Sequence, residues 1–108
     1  MAQKPGTRKQ YSLTATIYDK RGRILSTGEN SYSKTHPIQY HFAKQTGRPE
    51  AVYLHAEIAA LVRLKDVERA HKIVIERVGA HGEPLPASPC PICKLAIEHA
   101  GIEVIEHT

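Results

Sequence analysis

The hydrophobic pattern changes period several times along the chain, and each change marks an element. Residues 11–18 alternate, with Tyr11, Leu13, Ala15 and Ile17 on one side and Ser12, Thr14 and Thr16 on the other. A period of two predicts a strand with one face in the core. Asp19, Lys20, Arg21 and Gly22 have turn chemistry, and residues 23–28 (RILSTG) return as a second strand, so the chain opens on a β-hairpin. After a polar stretch at 29–33 the period lengthens. Residues 35–45 predict a helix: Pro37 suits its first turn, Ile38 and Phe42 lie four apart, and Gly47 stops it. Residues 52–64 (VYLHAEIAALVRL) form the clearest helix, with Leu54, Ile58, Leu61 and Val62 in one stripe. The β-branched run 72–78 (KIVIERV) predicts a strand. Residues 79–89 hold three prolines and two glycines and read as a loop too long for a tight turn. A third helix is expected over 91–100, stopped by Gly101, and a short last strand over 102–105.

The order β-β-α-α-β-α-β predicts an α/β domain: three layers, α/β/α, with helices on both faces of a mixed sheet of about four strands. The last two strands flank a helix, so they are expected to be parallel. A chain of 108 residues fits one domain, here 11–108, preceded by a flexible basic arm over 1–10. With 41% hydrophobic and 24% charged residues the balance is globular, so disorder is not the default expectation. The arm has no apolar stretch and does not resemble a secretory signal. No run approaches the roughly 20 apolar residues of a membrane helix, so a cytoplasmic protein without a membrane partner is expected. A net charge of +4 favours anionic partners such as nucleotides or nucleic acid.

The chemistry concentrates in two short motifs. The two cysteines, Cys90 and Cys93, stand three apart at the expected start of the third helix. There the helix dipole favours thiolate, the metal-binding form. The same spacing serves a redox pair. His55, Ala56 and Glu57 lie on the second helix. Taken alone they are a first-turn histidine and a carboxylate favoured by the dipole. Taken together, one imidazole and two thiolates supply three zinc ligands and leave a fourth position open. A closed structural site would need a fourth protein ligand.

His55-Ala56-Glu57 followed about thirty residues later by Pro89-Cys90-Pro91-Ile92-Cys93 is the H-x-E and P-C-x-x-C signature of zinc nucleobase deaminases. The chain resembles the cytidine and deoxycytidylate deaminase superfamily from its hairpin to Ile105. The resemblance implies a cytidine-deaminase-like fold, Zn2+ held by His55, Cys90 and Cys93, and Glu57 as the proton carrier. Glu57 would take a proton from a zinc-activated water and deliver it to the ring nitrogen, and would then protonate the departing amino group. Attack would fall on C4 of cytosine or C6 of adenine, and ammonia would leave. By the same resemblance Asn30 contacts the sugar, and Ala56, Ser88 and Pro89 lie by the substrate.

The branch is mixed. His55 to Ile58 with Ala60 and Leu61 looks like the transfer-RNA adenosine deaminases, whereas Ala96 to Ile102 looks like the deoxycytidylate deaminases. The favoured substrate is a free cytosine nucleoside or nucleotide. The alternatives are a base in RNA or single-stranded DNA, with Lys4, Arg8 and Lys9 on phosphates, and a non-catalytic zinc-binding module. Family members usually continue into a further strand and helix beyond the last strand read here. An open sheet edge, and a homo-oligomer covering it, are therefore expected.

Overall fold

The computed structural model describes residues 12–31, 33–48 and 53–108. Its elements are strands β1 (Ser12–Tyr18) and β2 (Ile24–Glu29), helices α1 (Pro37–Gln45) and α2 (Ala56–Arg63), a 3-10 turn at Val67–Arg69, strands β3 (Lys72–Val78) and β4 (Pro84–Leu85), helix α3 (Pro91–Ala100) and strand β5 (Val104–His107). The five strands form one mixed sheet in the order β2-β1-β3-β4, with β5 also on β3. β3 and β5 are parallel, as expected for two strands joined through a helix; the other pairs are antiparallel. The expected arm, residues 1–10, lies outside the described residues.

The alternation in β1 sets the layers. Ala15 and Ile17 stand opposite Ile75 and Ile73 of β3, and all four are fully buried. They meet Ala56 and Ala60 of α2, Ile97 of α3 and Ile102 in one core. Each fully buried isoleucine side chain contributes about 1.5–3 kcal/mol. α2 and α3 therefore share one face of the sheet. α1 packs on both of them through a second cluster of Phe42, Ala43, Ile58, Ile92, Cys93 and Ala96. The expected α/β layering is thus refined: among the described residues, the helices gather on the face of Ala15 and Ile75. The opposite face carries Thr14, Thr16 and Tyr18 beside Glu76, Val74 and Lys72. This face is more polar than the helix-covered one, with Val74 the apolar exception.

A fifth strand corrects the expectation of about four. The loop over 79–89 begins as a hairpin, because Gly82 takes the left-handed conformation at φ 81° and its N–H donates to the Gly79 carbonyl. The Gly79 N–H donates to the Glu83 carbonyl, and β4 then pairs with Arg77 and Val78. β4 and β5 lie end to end along the same edge of β3, joined through Thr108, whose N–H donates to Ile75 and whose carbonyl accepts from Ala87. No helix among the described residues is long and apolar enough to cross a membrane.

Two further devices hold the frame. Asp19 closes the β1–β2 turn: its carboxylate accepts from the Arg21 and Arg23 N–H groups and meets the Arg23 and Arg69 guanidinium groups. At the other end of β2, Gly28 lets α2 approach closely. A Cβ at Gly28 would lie 2.3 Å from the Ala60 nitrogen and 2.6 Å from the Ala56 carbonyl oxygen. Ser26 adds a hydrogen bond to the Ala60 carbonyl at 2.8 Å.

Gly28→Ala must push α2 off the sheet and is expected to destabilise the protein by about 3 kcal/mol, the upper range for overpacking, read by urea denaturation. Asp19 is held below the ordinary carboxylate value, first by the Arg23 N–H. Its contribution to stability is full above the ordinary carboxylate range and is lost as pH falls through the lowered value. Asp19→Asn should therefore be less stable than wild type at neutral pH, with the gap closing on acidification. A constant gap between the two urea midpoints at all pH values would refute this.

Candidate functional site

Both halves of the candidate site begin a helix. His55 is the N-cap of α2 and Cys90 the N-cap of α3, each with extended backbone and neither making a side-chain capping hydrogen bond. Their imidazole and thiol stay available for another partner. α2 starts later than the pattern over 52–64 suggests. The Leu54 N–H donates to the Lys34 carbonyl, the Leu54 carbonyl accepts from Ser31, and Tyr53 bridges to Thr35. These bonds draw 53–54 into an extended pairing, so His55 enters the helix from outside it.

The two helix starts converge. His55 Nδ1 lies 3.2 Å from Cys93 Sγ and 3.5 Å from Cys90 Sγ. The three ligand atoms fall within 4.8 Å of one another, with Cys93 buried and the other two half-buried. A tetrahedral zinc ion with Zn–S of ~2.3 Å and Zn–N of ~2.0 Å sets N···S edges of about 3.5 Å. The donor set and its spacing therefore fit zinc. Among the described residues it is the one such group of three or more histidine, cysteine or acidic side chains.

The protons of the site reflect this crowding. A hydrogen bond from the Cys93 thiol, opposed by burial and aided by His55, brings Cys90 down to about 4. Cys93 is pushed far up by that same bond and by burial. The hydrogen bond to Cys90 raises His55. Thiolate, thiol and imidazole thus share protons that a bound dication would displace. Glu57 is 3% exposed, and burial raises its carboxyl above the ordinary value.

A cavity of about 420 Å3 opens onto the cluster, lined by Leu13, Asn30, Ser31, Tyr53, Leu54, His55, Ala56, Glu57, Ser88 and Cys90. It brings together Asn30, Ala56, Glu57 and Ser88 from the sequence expectation; Pro89 is not among the lining residues. Asn30 is tied to β1: its Oδ1 accepts the Leu13 N–H at 3.1 Å. That leaves the amide nitrogen as the donor it can offer. Leu13 and Leu54 carry the signal of core residues, yet they wall the cavity. Gln39 of α1 escaped the sequence reading: it is fully buried, and its Oε1 accepts the His55 N–H at 3.1 Å. No local pattern distinguishes it. His81 and Arg48 are exposed and do not line the cavity.

Compared with known families, residues 1–106 match the cytidine and deoxycytidylate deaminase zinc-binding region. No curated protein matches the chain significantly. Replacing Cys93 by alanine removes a buried ligand. Zinc binding is expected to weaken by more than about a hundredfold, beyond the range of outer-shell changes, as measured with a competing indicator; unchanged affinity would exclude Cys93 from the ligand set.

Proposed function

Because the chain belongs to the cytidine and deoxycytidylate deaminase zinc-binding family, we propose that it hydrolyses the exocyclic amino group of cytosine in a free nucleoside or nucleotide. The observation that carries this is the meeting of three zinc-compatible atoms at the edge of a cavity that a buried carboxyl also lines.

Zn2+ held by His55, Cys90 and Cys93 would acidify a water. Glu57 is the proton carrier. Its carboxylate takes a proton from the water as the oxygen bonds to C4 and gives that proton to the ring nitrogen N3; it then takes the remaining proton of the new C4 hydroxyl and gives it to the amino group, so that the C4–N bond breaks, ammonia leaves and uracil remains. Burial suits this role, since a raised carboxyl holds a transferred proton between the two steps. Ala56, at the start of α2, and Ser88 both line the cavity and would lie beside the substrate. Leu13, Leu54 and Tyr53 offer apolar surface to a flat ring. Asn30 would contact the sugar, a role supported by its place in the cavity lining and by the bond of its oxygen to the Leu13 N–H, which leaves the amide nitrogen to donate. Pro89, next to Cys90 in the chain, keeps its proposed place beside the substrate.

The formal charge of +4 favours a second reading, deamination of a base within RNA or single-stranded DNA. Ammonia release from nucleosides, nucleotides and oligonucleotides separates the two. Turnover of the small cytosine substrates is expected. Turnover of oligonucleotides alone moves the activity to nucleic acid, and no turnover by zinc-loaded protein leaves a zinc-binding module. Glu57→Gln should keep its zinc and lose at least about a hundredfold in kcat. Full activity in that variant would remove Glu57 from the reaction.

A further inference from the structure

We propose that Gln39 is a positioning residue for the metal site, fixing the His55 backbone and through it the nitrogen that faces the two sulfurs. The proposal rests on the zinc assignment of His55, Cys90 and Cys93.

α1 is built against its own hydrophobic pattern. It buries Gln39 completely while leaving its neighbours Ile38 and Tyr40 at 40% and 46% exposure. Burying an amide costs free energy unless it is hydrogen-bonded, so a helix that hides glutamine in place of isoleucine needs a compensating bond. For its amide oxygen that bond comes from the His55 N–H. An N-cap N–H lies outside the ladder of its own helix, and His55 has no side-chain cap to help define the start of α2. The acceptor from α1 thus supplies what the sequence around His55 does not.

The geometry of the imidazole makes this anchor matter. The nitrogen facing both sulfurs is Nδ1, not the distal Nε2. Two rotatable bonds separate Nδ1 from the His55 Cα, so a shift of the backbone carries the nitrogen with it. α1 also reaches the other half of the site, because Phe42 and Ala43 pack in one cluster with Ile92 and Cys93. One helix therefore braces the histidine by a hydrogen bond and the cysteine by packing.

The test measures zinc release from purified, zinc-loaded protein to an excess of chelator, with folding followed by circular dichroism. Gln39→Met keeps the size and removes the acceptor; Gln39→Asn keeps an amide that stops one methylene short. Both should release zinc at least about tenfold faster than wild type. The control is Thr46→Ala, which removes the hydroxyl bonds to the Phe42 and Ala43 carbonyls at the end of α1. It should lower Tm without speeding release. A folded Gln39→Met or Gln39→Asn that releases zinc at the wild-type rate overturns the proposal. So does a Thr46→Ala protein that releases zinc as fast as they do. Wild-type protein that holds no zinc would instead overturn the metal assignment beneath it.

Discussion

Two helix N-termini aimed at one point are the constraint around which this molecule is arranged. Each brings unpaired N–H groups and the positive end of a dipole, so their approach needs negative charge between them. Serine or aspartate would ordinarily cap such ends. Here the capping positions are His55 and Cys90, and neither side chain bends back to its own helix. The sulfur brought down to about 4 at the start of α3 answers the same need, because thiolate is the form favoured there. Both helices begin short of an internal cap and look outward for a shared partner.

The frame fixes these ends from behind. α2 can lie against β2 only because Gly28 has no side chain to hold it away, and Ser26 ties the helix at Ala60. α3 is held to the same sheet face through Ile97, in one core with Ile73 and Ile75. Sharing a face puts the two helix starts side by side at the end of the sheet where β1 begins and β2 ends. Leu13 and Asn30 therefore become walls of the cavity. The turns at the opposite end, around Asp19 and the 3-10 turn, serve the frame alone in the proposed chemistry.

Much of this was legible in the sequence, for a physical reason. β3 and α3 match the pattern to the residue, since β-branched runs and a helix bounded by proline and glycine are local signals. The metal ligands were legible because motif spacing is also local. What escaped depends on distant partners. α2 begins at Ala56 because Leu54 is claimed by Ser31 and Lys34, which periodicity cannot register. β4 is two residues long and rests on one glycine conformation and a neighbouring strand. Gln39 has meaning only once α1 lies beside His55. Leu13 and Leu54 look the same in sequence whether they face a core or a cavity.

The neighbour relations of β1 have a kinetic consequence. Its register with β3 joins segments far apart in the chain, with both helices of the first half between them. Such pairing closes a long loop before it is rewarded, which slows folding. The histidine and the cysteines lie on opposite sides of that closure. The three candidate ligands therefore come from segments on either side of β3, and the assembled sheet is what brings them together.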